Sequence, residues 1–131
     1  MKALLRLLFP FLFLFPCWVM AQVEGDVERA FLQGDISKLT PYLGATLDLR
    51  ILDTENVYGR SQAEVLLGKF FTEHPPKNFS IAHHKNRSDT SFFIGTYTSK
   101  DQMTFRVSVF MKTTSEKRHI TQVLIQNSTA L

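Results

Sequence analysis

Ser61 to Ile81, SQAEVLLGKFFTEHPPKNFSI, is the stretch in which the chain changes period, and its reading decides the architecture. Ala63, Leu66, Leu67, Phe70 and Phe71 recur at i, i+3, i+4, i+7 and i+8, one apolar face of an amphipathic helix. Ser61 with Glu64 three residues later predicts a capping box at its start. Pro75-Pro76 cannot continue a helical ladder and stops it at about His74. Beyond the prolines the period is two. A helix with a wide apolar face therefore leads directly into sheet.

Downstream, alternation predicts strands over 79–84, 92–98, 103–112 and 119–126, with turns at 86–89 and 99–101. Consecutive strands with short turns make an antiparallel meander. Met103, Phe105, Val107, Val109 and Met111 share one face of the longest strand and predict its core side. Phe92 and Ile94 face opposite to Phe93 and Tyr97, and Phe110 opposite to Phe105, so the middle strands are apolar on both sides. Such a sheet needs two covers. One is the helix; the other is predicted to be a second copy, giving a homodimer through the outer sheet face.

Upstream, Val23, Val27, Ala30 and Phe31 lie at helical spacing and Gly34 ends that helix. Asp35 reads as the N-cap of a second short helix carrying Ile36 and Leu39, closed by Pro41. Leu47, Leu49 and Ile51 alternate with Asp48 and Arg50, a half-buried strand. Asp53 to Asn56 reads as a turn, and Val57-Tyr58 as a brief extended piece. The fold class is α+β, with helices on one sheet face.

The N-terminus has another character. Lys2 and Arg6 precede an apolar run that ends at Val19, Met20 and Ala21, the pattern of a secretory signal peptide cut after Ala21. Residues 1–21 are the expected leader and 22–131 one domain, exported to the periplasm or beyond, with no stable membrane span after cleavage. An uncleaved anchor fits less well, since the run is about 17 residues against about 20 for a span, and Pro10 and Pro16 interrupt it. Lipidation at Cys17 is disfavoured by Pro16 before it. Cys17 is the sole cysteine, so the mature chain has no disulfide, thiolate ligand or thiol nucleophile. Without Lys2 and Arg6, 13 basic residues face 12 acidic ones, and no basic run with interleaved aromatics points to nucleic acid. Lys117-Arg118-His119 reads as a solvated turn.

The order helix, helix, strand, helix and meander resembles the NTF2-like (cystatin-like α+β cone) superfamily, in which a curved sheet wraps the long helix and leaves a pocket. The segment from Phe31 to Leu39 is similar to its helix corner. Leu47 to Leu49, Tyr58 to Glu64 with Phe70-Phe71, His74 to Phe79, Ile94 to Thr96, Phe105 to Val107 and Ile120 to Ile125 resemble an uncharacterised family of secreted bacterial NTF2-like domains. The resemblance implies shape and a bacterial source with two membranes. It implies no activity.

No G-x-S-x-G elbow, P-loop or G-x-G-x-x-G occurs. Asp53, Asp89 and Asp101 sit in predicted turns. His83 shares an apolar strand face with Phe79 and Ile81 while His84 points the other way, so the two cannot chelate together, and no metal or cofactor is expected. His74 and His119 read as surface positions. The favoured function is a non-catalytic binding module for a small apolar ligand or a protein partner, with Tyr42, Tyr58, His83, Tyr97 and Arg106 as the polar-tipped candidates. Arg106 on its own reads as a solvated residue or cross-strand ion pair. The rivals are an isomerase-like or dehydratase-like enzyme, with His83 as base and Tyr58 or Tyr97 as proton donor, and an envelope scaffold acting through dimerisation.

Overall fold

The computed structural model describes residues 17–128, with side chains from Val23 onward. The expected leader therefore lies outside the described residues, apart from the backbone of 17–21. Helix α1, Cys17–Gln33, opens the described chain and buries Val27, Ala30 and Phe31 completely. Gly34 takes a φ of 63°, open to glycine without strain, and lets Asp35 cap α2, Ile36–Leu39, by accepting the Ser37 N–H at 3.0 Å. A 3-10 turn, Thr40–Tyr42, holds Pro41 and delivers the chain into β1, Leu43–Ile51.

Here the structure departs from the sequence reading. The turn is Leu52-Asp53 alone, and residues 54–59 form a strand, β2, antiparallel to β1 with Ile51 opposite Thr54 and Thr46 opposite Gly59. Strand pairing thus holds the chain as far as Gly59, and α3, Arg60–Glu73, starts at once. Gly59 is the N-cap and no side chain caps the helix, so the Ser61–Glu64 capping box does not form. Instead Arg60 Nε donates to the Leu43 carbonyl at 3.0 Å and fastens the junction.

The remaining strands, β3 (Pro76–Asn86), β4 (Thr90–Ser99), β5 (Thr104–Thr114) and β6 (Lys117–Asn127), form the expected meander with longer arms. The sheet order is β2-β1-β6-β5-β4-β3. Only β1 and β6 run parallel, a pairing between the first strand and the last. Register shifts interrupt the ladders at four places, Leu43/Asp48 in β1, Pro76/Asn78 and Ile81/His83 in β3, and Phe110/Met111 between β5 and β6, and two of them bear on the site. In β3 Ile81 faces Gly95 and His83 faces Ile94, leaving Ala82 unpaired; in β6 Gln122 faces Phe110 and Ile120 faces Met111.

The concave face carries the core. Phe105, Val107, Val109 and Met111 of β5 are buried as predicted, whereas Met103 is outside the strand and 41% exposed. Phe70 and Phe71 of α3 and Phe31 of α1 descend onto Phe79, Tyr97 and Phe105. Gly95 completes the fit. A Cβ there would lie 2.6 Å from Phe79 Cζ and 2.9 Å from the Ser80 carbonyl oxygen. Gly95→Ala is expected to cost about 2 kcal/mol by overpacking, read from the urea midpoint, while Gly25→Ala, inside α1 with nothing near its Cβ, is expected to raise the midpoint slightly, by up to about 1 kcal/mol.

Candidate functional site

The five sequence-predicted residues are not brought together. Tyr97 lies on the concave face, fully buried, and its hydroxyl donates to the His74 carbonyl at 2.5 Å. Burial first, and the Asp101 carboxylate second, push its ionisation far above the ordinary tyrosine range. Its proton is committed. Tyr42 donates to Asp26 Oδ2 at 2.5 Å, joining the 3-10 turn to α1, and that hydrogen bond, then burial, raises its pKa. Arg106 is exposed on the convex face, opposite Thr96 and Gln126.

His83 is the main correction. The bulge at Ala82 inserts one residue, and a one-residue slip exchanges the faces of everything beyond it. His83 turns to the convex side and is exposed, while His84, opposite Phe93, takes the concave side. His83 and Tyr97 therefore stand on opposite faces of the sheet. An acid–base pair between them is excluded.

His84 has a function in packing that the sequence did not reveal. Its Nε2 meets Glu24 Oε2 of α1, and Glu24 Oε1 accepts from Arg118 Nη1 of β6 at 3.1 Å. Arg118 Nε donates onward to Thr113 Oγ1 of β5 at 3.1 Å. The Arg118 side chain is 4% exposed and Glu24 12%, so Arg118 is no solvated turn residue. His119 is half-buried beside it in sequence. The network ties α1 to β3, β5 and β6.

Tyr58 is half-buried at the other side of the domain, where α3 crosses the β1–β2 hairpin. There Leu49, Ile51, Leu52, Leu66 and Phe70 surround a cleft of about 180 Å³, with Thr54, Lys69, Glu73 and His74 also lining it. His74 is not a surface residue. Its ring packs against Phe70 and Phe105 at 5.2 and 5.0 Å, and its Nδ1 is shielded from water without a hydrogen-bond partner. Asp101 Oδ2 lies 3.7 Å from that nitrogen. The Asp101 carboxyl is held below its usual range, chiefly by the Ser99 hydroxyl and less by backbone N–H groups and His74. Among the described residues no group of three His, Cys, Asp or Glu is placed to hold a metal ion.

A family model for a domain of unknown function, DUF4783, matches residues 25–126. A protein of that family from Bacteroides fragilis is 31% identical over 79% of this chain and 96% of its own, with a TM-score of 0.74. Another from Bacteroides uniformis is 29% identical over 79% and 95%, with a TM-score of 0.76. A member of the NTF2-like family from Streptomyces avermitilis, 9% identical over 85% of this chain and 95% of its own, has a TM-score of 0.59 and shares the fold alone. No curated protein matches the sequence.

Two stability predictions follow from this geometry. Glu24→Gln leaves Arg118 buried without its counter-charge and is expected to cost about 3 kcal/mol in urea unfolding, most of it restored in a Glu24→Gln/Arg118→Met double variant. Tyr97→Phe is expected to lose about 1 kcal/mol at pH 8, where the phenol is neutral in both states. The raised folded-state pKa stabilises the protein below the unfolded value of about 10 and is lost as pH rises past it. The midpoints of wild type and Tyr97→Phe should therefore converge above about pH 10.

Proposed function

The chain belongs to the DUF4783 family, domains of unknown function with the NTF2-like fold, and from that premise we propose that it is an exported, non-catalytic binding module. The observation that carries this reading is the filled interior. Where a cone fold can hold a substrate, this chain stacks Phe31, Phe70, Phe71, Phe79, Phe93 and Phe105 around a Tyr97 whose proton is already engaged. Such packing supports recognition at the periphery rather than proton transfer within.

The cleft between α3 and the β1–β2 hairpin is the best apolar seat. Its volume of about 180 Å³ is below the roughly 300 Å³ at which whole drug-sized ligands are enclosed, so it suits one apolar group of a larger ligand or protein partner. Tyr58 and His74 would orient that group by their polar atoms. Export rests on Lys2, Arg6 and the apolar run ending at Ala21. None of the described helices is long and apolar enough to cross a membrane.

Native mass spectrometry of the protein isolated undenatured from its host tests the reading. We expect a mass beginning at Gln22 and a reproducible adduct or partner. Thr54→Trp, an exposed position at the mouth, should remove that species without changing the melting temperature. An adduct that survives Thr54→Trp, or a bare chain in both preparations, refutes the assignment to this cleft.

A further inference from the structure

We propose that the end of the sheet at the β3–β4 hairpin carries a second binding site, a basic cleft lined by aromatic rings that takes an amphiphilic organic anion. The register builds it. Phe92 of β4 pairs with Phe110 of β5, and both side chains point to the convex face, where their rings stack with centroids 5.6 Å apart and planes 29° apart. Lys85 of β3 stands opposite Phe92, and Lys112 of β5 opposite Thr90. Arg87 closes the hairpin, its N–H donating to the Thr90 carbonyl at 2.7 Å.

Lys85, Arg87 and Lys112 thus come from three segments to line one cleft of about 470 Å³, within the size range of sites for whole small molecules. No acidic side chain lines it. Asp89, at the hairpin tip, is engaged through its backbone carbonyl by the Thr113 N–H at 2.7 Å and its side chain is not part of the lining. In a mature chain with 13 basic and 12 acidic residues, three cations without a local acid are a marked concentration of charge.

Each component selects part of the ligand. The Phe92–Phe110 pair offers apolar surface to an aliphatic or aromatic body. The cations fix a carboxylate, sulfonate or phosphate through charge-assisted hydrogen bonds. A nucleic-acid strand would need a basic track longer than a single cleft.

The test compares two fluorescent probes that differ by one sulfonate, 1-anilinonaphthalene-8-sulfonate and neutral N-phenyl-1-naphthylamine, on the full mature chain. We expect the anionic probe to bind more tightly, and binding to weaken as salt rises. Lys112→Gln and Arg87→Gln, both at exposed positions, should each weaken it roughly tenfold, while Lys112→Arg retains it. Thr54→Trp should leave it unchanged, so this site and the α3 cleft fail or succeed separately. Displacement by free dodecanoate identifies a soluble amphiphile, and displacement only by phosphatidylglycerol vesicles identifies a lipid headgroup; either supports the anion site. Equal binding of the neutral probe, or insensitivity to both glutamine variants, overturns it. So does a dimer in sedimentation that excludes the probe as it forms, which would make the face a self-association surface.

Discussion

Phe31 stacks on Phe79 of β3 at 5.2 Å and meets Phe71 of α3 nearly edge-on at 5.6 Å, so one side chain ties α1 to the α3–β3 junction far along the chain. Described residues 23–128 include no cysteine, so no disulfide constrains their unfolded state, and apolar burial must supply the stability. A ring of this size contributes about 3 kcal/mol or more when buried without voids. The curvature of the sheet depends on the same contact: Phe79 lies across Gly95, and only a residue without a Cβ lets β4 pass that close beneath it. Helix placement, sheet bend and the aromatic filling between them are one packing solution.

The polar network at the other end of α1 complements it. Burying Glu24 with Arg118 gains little net stability, because desolvation offsets most of the attraction. What it gains is alignment, since a helix held only by apolar contacts can slide while a carboxylate between His84 and Arg118 has one satisfactory position. With cleavage after Ala21, as proposed, Glu24 would also fall in the first turn of the shortened helix, where the helix dipole favours a carboxylate.

Periodicity made much of this fold legible. The faces of β4 and β5, the apolar stripe of α3 and the Gly34-Asp35 corner all follow from spacing and local turn chemistry, which act over a few residues. What escaped was non-local or irregular. The parallel pairing of β1 with β6 leaves no local trace, and the first half of β2, with exposed Thr54, Glu55 and Asn56, reads as a turn because an edge strand buries almost nothing. The bulge at Ala82 did most damage to the candidate site. It exchanged His83 for His84 on the concave face, and with that exchange the imagined base left that face and an unforeseen hydrogen-bond partner of Glu24 took its place. Arg118 was misread for a related reason, since its burial depends on Glu24, which lies 94 residues away.

A filled cone shifts recognition to the margins, and the two clefts lie on different parts of the molecule. One sits where α3 crosses the β1–β2 hairpin; the other is built by β3, β4, β5 and β6 and shares no lining residue with it. Between them stands the close-packed aromatic layer of Phe31, Phe70, Phe71, Phe79, Phe93 and Phe105. Sites without shared partners or a bistable element between them bind additively. On the two proposals above, the clefts would bind independently, and filling one would leave the other's affinity unchanged, since among the described residues no shared residue or two-state element links them.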